Sequence, residues 1–249
     1  MKIRRFLKFC FFALTFLSST LAIAGIKETK HNLSASGLFS VRAVEETQIC
    51  IFCHTPHNSY PAQPLWNHEL SAVQTYRSYW SETLQSYSQA ESEAWPIDGY
   101  SKLCLSCHDG TVAVGAVYSR FEDILMVSSP CIDASGKLID VPECTGYIGT
   151  DLSGGHPLSI KYNMILVNNR NSNTEFCRLN PPPLGDPYVK LYPTKGEFGV
   201  QCTSCHDPHT NRSIETRDGK PWPPFWQKET HDAVCEVCHV KDCQHDWPW

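Results

Sequence analysis

Apolar residues crowd one end of this chain and are scattered along the rest. After Lys2, Arg4, Arg5 and Lys8, residues 9–24 form a mostly apolar run ending in Ala22-Ile23-Ala24. A basic head, an apolar stretch and small residues before a cut site predict a secretory signal peptide over residues 1–24, cleaved ahead of Gly25. The run is shorter than the ~20 residues that span a bilayer as a helix, and no later segment is apolar enough to span one. The mature chain, residues 25–249, is therefore expected to be exported and soluble.

Beyond residue 24 neither the period of a helix nor that of a strand persists for long. The segment between His57 and Cys104 starts Pro-rich, becomes rich in Ser, Tyr, Gln and Glu, and predicts loop with one short helix near Glu82–Ala94. The stretches "NNRNSN" at 168–173 and "NPPPLGDPY" at 180–188 predict turns or extended coil. The expected fold class is irregular: mostly coil, with short α-helices. With 41% hydrophobic residues against 17 Pro and 14 Gly, so loop-rich a chain would struggle to build an ordinary core. Something else must supply buried apolar mass. Loss of the four basic residues of the signal leaves 17 Lys and Arg against 26 Asp and Glu, a net charge of −9. That balance argues against nucleic acid or an anionic membrane surface as partner.

The missing mass has a source in a pentad that occurs four times. Cys50–His54 ("CIFCH"), Cys104–His108 ("CLSCH"), Cys202–His206 ("CTSCH") and Cys235–His239 ("CEVCH") all read Cys-x-x-Cys-His, the attachment pattern of a c-type haem. Cys50, Cys53, Cys104, Cys107, Cys202, Cys205, Cys235 and Cys238 would bond the vinyl groups of four porphyrins. His54, His108, His206 and His239 would meet the irons from one face. Zinc also uses Cys-x-x-Cys pairs, but it would not need a histidine directly after every second cysteine. The cofactors expected are four covalently bound haems c, filling the core.

Seven histidines remain, and an internal repeat sorts them. Residues of about 25–120 read His31-Asn-Leu-Ser, Cys50–His54 followed by Thr-Pro-His57, then Cys104–His108. Residues of about 150–249 read His156-Pro-Leu-Ser, Cys202–His206 followed by Asp-Pro-His209, then Cys235–His239. Two half-repeats in one domain thus offer His31, His57, His156 and His209 as second ligands for four irons. His68 is the reserve, while His231 and His245 have no repeat mates and read as ordinary side chains. His57 cannot serve the haem that His54 holds, because three residues including Pro56 cannot wrap round a porphyrin. It must reach another haem, and His209 should do likewise. Iron with two histidines has no open position, so it favours electron exchange over substrate turnover.

The segments "KHNLSASG", "CIFCHTPHN", "PLWNHEL", "LCLSCHDGTVAVG", "GTDLSGGHPLS" and "VQCTSCHDPH" resemble the doubled-CxxCH multihaem cytochromes c. More narrowly, they resemble the tetrahaem extracellular cytochromes that polymerise into haem-lined filaments. The similarity runs from Lys30 to His239. It implies bis-histidine ligation throughout, a continuous row of haems, and one distal histidine supplied by the neighbouring protomer. His57 is expected to be that donor, with His31 second. The implied protein is secreted or displayed at the cell surface, and exchanges electrons with redox proteins or an extracellular acceptor. A discrete periplasmic or cell-surface shuttle is the alternative; a multihaem oxidoreductase would need an open iron face. Two features depart from the family pattern: an insert between Phe121 and Thr150, and the tail beyond His239. Cys131, Cys144, Cys177 and Cys243, an even number in an exported chain, allow three pairings. Cys131–Cys144 closing a short polar loop and Cys177–Cys243 pinning the tail are favoured over buried thiols.

Overall fold

A computed structural model describes residues 25–60, 64–84, 86–173, 177–214, 216–217, 220–221 and 225–241. The expected signal peptide and the tail carrying Cys243 and His245 lie outside the described residues. The described chain is mostly coil. Short 3₁₀ turns at Ile26–Glu28 and Ile49–Phe52 precede β1 (Arg77–Ser78), α1 (Gln89–Ser92) and α2 (Gly99–His108). Then come β2 (Asp151–Leu152), β3 (Ile160–Lys161), α3 (Met164–Asn171), β4 (Tyr192–Thr194) and β5 (Glu197–Val200). The series ends with α4 (Cys202–Cys205), β6 (Thr216–Arg217), β7 (Lys220–Pro221) and α5 (His231–Cys235). Among the described residues no helix is long and apolar enough to cross a membrane.

The region expected to hold a helix near Glu82–Ala94 contains only the single turn α1, started by a reciprocal cap. Ser88 Oγ accepts from the Glu91 N–H, and the Glu91 carboxylate accepts from the Ser88 N–H. The expectation of turns over 168–173 is corrected for 168–171, which are helical. Asn163 caps α3 by accepting from the N–H groups of Ile165 and Leu166, and Val167 is buried in the core. Tertiary packing and a strong cap override the low helix propensity of the asparagines. Strands were not expected at all, yet β3, β5 and β4 form an antiparallel sheet in that order. Its hairpin turns at Lys195 and Gly196, where φ is 47° and 80°, the backbone that suits a two-residue hairpin loop.

The larger apolar cluster draws on both sequence halves. Tyr76, Trp95, Ile97 and Leu105 pack with Leu152, Ile160, Tyr162, Val167 and Val200. A smaller cluster joins Ala43, Phe52, Val117 and Ile124 beside the first pentad. The halves are also pinned by β1 pairing in parallel with β2 and by a polar hub at Asp98. Its carboxylate accepts from Thr194 Oγ1 (2.7 Å), Gln201 Nε2 (3.0 Å) and the Lys195 N–H (2.9 Å). Gln201 in turn accepts from the Ser101 N–H at 2.9 Å, so α2 and α4 are tied through one residue.

Burial alone would raise the Asp98 pKa, but these donors outweigh it and hold the carboxyl below its usual range. Asp98→Ala should cost about 3 kcal/mol, three charge-assisted hydrogen bonds discounted for partial solvent exposure. Because the folded pKa is the lower one, that stabilisation is present above the unfolded value of ~3.9 and fades as the pH falls below it. Thermal melts of the wild type and Asp98→Asn should therefore differ at neutral pH and converge below about pH 4.

Candidate functional site

Each pentad is closed by one helical turn. The His54, His206 and His239 N–H groups donate to the carbonyls of Cys50, Cys202 and Cys235 at 2.8–2.9 Å, while Cys104–His108 is the last turn of α2. One turn brings residues i, i+3 and i+4 to the same side. All eight pentad cysteines and all four pentad histidines line one continuous cavity of about 2510 Å³. That far exceeds the ~300–1,000 Å³ of a pocket for one small ligand. Its remaining wall is largely apolar, with Leu103, Val114, Leu152, Ile160 and Leu191 among the lining residues. Burial pushes the thiols of Cys53, Cys107 and Cys205 up to about 12 and that of Cys238 to about 11.

A second repeated element, missed in the sequence, holds the first pentad of each half. "PLWNHE" at 64–69 and "PFWQKE" at 224–229 are matching arms that return onto their pentads. Trp66 bridges to His54 and Trp226 to His206. The Asn67 N–H donates to the Cys53 carbonyl and the Gln227 N–H to the Cys205 carbonyl, at 2.9 and 2.8 Å. Their amide side chains donate to Ile51 and Thr203 carbonyls. Leu65 and Phe225 share a positive φ, 60° and 57°, and their carbonyls accept from Thr55 and Asp207, the equivalent residues after each pentad. The same uncommon backbone at two matching positions marks one module used twice.

Three of the candidate second ligands stand opposite pentad histidines of other segments. Ring centroids lie 6.0 Å apart for His31 and His108, 6.0 Å for His54 and His209, and 6.3 Å for His156 and His239. Two imidazoles on opposite sides of one metal, with bonds of ~2 Å each, place their centroids roughly 6 Å apart. The ring nitrogens are arranged to match. Nδ1 of His31 contacts the Pro208 carbonyl (3.1 Å), that of His54 the Pro64 carbonyl (2.9 Å), and that of His156 the Pro157 carbonyl (2.8 Å). His108 Nδ1 does the same with Gly146. Donation from Nδ1 leaves the Nε2 lone pair for a metal. Burial, reinforced by the neighbouring imidazole, lowers His31 and His239 to about 4, so both are neutral near pH 7.

The other histidines separate cleanly. His57 is exposed, outside the cavity lining, on a turn held by Thr55 Oγ1 donating to its carbonyl (2.8 Å) and by Asn58 at φ 56°. His68 is fully buried with both ring nitrogens against backbone carbonyls, Nδ1 at Glu69 and Nε2 at Ala113. Its counterpart in the repeat is Lys228. His231 lines the cavity edge-on to Trp226. Cys131 and Cys144 form a disulfide, as expected. Cys177 is disulfide-bonded too, while its expected partner Cys243 lies outside the described residues.

These residues fit haem. Among the described residues no three His, Cys, Asp or Glu side chains converge as a bare metal ion requires. An imidazole pair leaves the equatorial positions to a macrocycle, and a Cys-x-x-Cys pair beside each pentad histidine can anchor one. Trp66 Nε1, buried and without a hydrogen-bond acceptor, lies at the same wall. No protein-family model matches the chain, and a search of curated proteins finds no match.

Proposed function

We propose that this chain is a tetrahaem c-type cytochrome of exported, extracellular electron transfer, and that its protomers join head to tail into a haem-lined filament. The observation that carries the reading is the set of three histidine pairs at 6.0–6.3 Å, each joining a pentad histidine to a spare histidine from elsewhere in the chain. Bound haem supplies a reversible one-electron ferric–ferrous couple. The protein's own groups do the rest. His54, His108, His206 and His239 would hold the four irons as proximal ligands, His31, His156 and His209 would serve as distal ligands within the chain, and the cysteine pairs would fix each porphyrin. Irons held by two histidines each, the fourth completed in the filament, would carry electrons rather than bind substrate, which makes the chain an electron carrier and not an enzyme.

The pairings also follow a rule that repeats. His31 and His156 each face the second pentad of their own half. His209, following the first pentad of the second half, faces the first pentad of the preceding half. His57 is the equivalent of His209, and the half that precedes its own belongs to a neighbour. The same step would take His57, exposed like its counterpart His209, to the His206 haem of a neighbouring protomer. His31 lines the cavity opposite His108, which favours His57 as the donor. In the assembled protein the reduced visible spectrum should be wholly low-spin and carbon monoxide should bind poorly. Rapid binding to a quarter of the haem in filaments would indicate an open iron and favour an oxidoreductase.

A further inference from the structure

The insert between Phe121 and Thr150 runs against the second pentad. Lys137 bridges to Ala113, Leu138 bridges to Ile132, and the Cys131–Cys144 bond closes the loop. The chain leaving Cys144 then grips His108 from several sides. The Gly146 carbonyl faces His108 Nδ1. The Ile148 and Gly149 N–H groups both donate to the His108 carbonyl, at 2.7 and 3.2 Å. The Tyr147 ring fills the space beside Gly110, where φ is 72° and any Cβ would collide with it. His54, in contrast, takes its Nδ1 acceptor from the return arm at Pro64. The insert therefore does for the second pentad what the return arm does for the first.

We infer that the strap from Cys144 to Gly149, anchored by the Cys131–Cys144 disulfide, is the positioning element of His108 and tunes the potential of the haem at Cys104 and Cys107. This rests on the tetrahaem reading. A carbonyl accepting from Nδ1 fixes the ring and makes the ligating nitrogen more basic, which favours ferric iron. Loosening the strap should raise that one potential.

The test uses the exported, loaded protein with two variants, Cys131→Ser/Cys144→Ser and Tyr147→Ala, the second keeping the disulfide. Intact mass comes first: a wild type with fewer than four haems overturns the tetrahaem reading, and this inference with it. With four haems present, spectroelectrochemical titration should show one quarter of the haem absorbance moved to higher potential in the disulfide variant, three quarters superimposed on wild type. Tyr147→Ala should move the same quarter in the same direction by less, and decides alone if the disulfide variant fails to fold. Curves that superimpose throughout, or four haems shifting together, overturn the inference.

Discussion

His57→Ala is expected to fold, to carry four haems and to lose its filaments. The substitution removes an exposed side chain with no core contact, so folding should be unaffected to within ~0.5 kcal/mol. The interface, in contrast, would lose an iron ligand. Even partners one shell beyond a metal contribute 10- to 100-fold to affinity, so losing the ligand itself should raise the concentration needed for assembly by more than ~100-fold. The isolated variant should also bind carbon monoxide at one quarter of its haem. Electron microscopy and a carbon monoxide titration read the two effects separately. Normal filaments from this variant would show that His57 serves no neighbour, whereas a wild type that forms no filaments would leave the discrete shuttle as the better description.

The second large effect belongs to the distal histidines inside the chain. His31→Ala, His156→Ala and His209→Ala should each convert one quarter of the haem from low-spin to carbon-monoxide-reactive, because each removes one member of a pair at 6.0–6.3 Å. His68→Ala is the contrast. It leaves a buried cavity and deprives one backbone carbonyl of the single N–H that a neutral imidazole donates, and should cost about 2–4 kcal/mol of stability while opening no iron. Carbon monoxide reactivity after His68→Ala, with none after His31→Ala, would reverse the two roles.

The candidate site was legible in the sequence because its pentads are written locally. A pentad needs no tertiary context, and the HxLS and CHxPH segments repeat at matching places. What was not legible depended on distance along the chain. Strands of two to four residues are too short to show a period, and β5 is defined by its partners at Ile160 and Tyr192 rather than by its own residues. The helix over Met164–Asn171 hid behind its asparagines, although Asn163 was a visible cap. The return arms could have been found: Pro-x-Trp-(Asn/Gln)-x-Glu occurs in both halves, but the different intervals before it, and the exchange of Asn67 for Gln227, obscured the match. Seen as a pair, they would have set His68 opposite Lys228 rather than opposite another histidine. The grip of the insert on His108 was beyond reach, since Gly146 carries no side chain to announce it.

The central claim is that four haems are covalently held by four named pentads, and mass spectrometry of the exported protein tests it most directly. The intact mass should equal the chain plus four haem masses. Proteolytic fragments containing Cys50–Cys53, Cys104–Cys107, Cys202–Cys205 and Cys235–Cys238 should each carry one. Three or fewer haems in fully matured protein, or any of these pairs recovered without haem, would contradict the account.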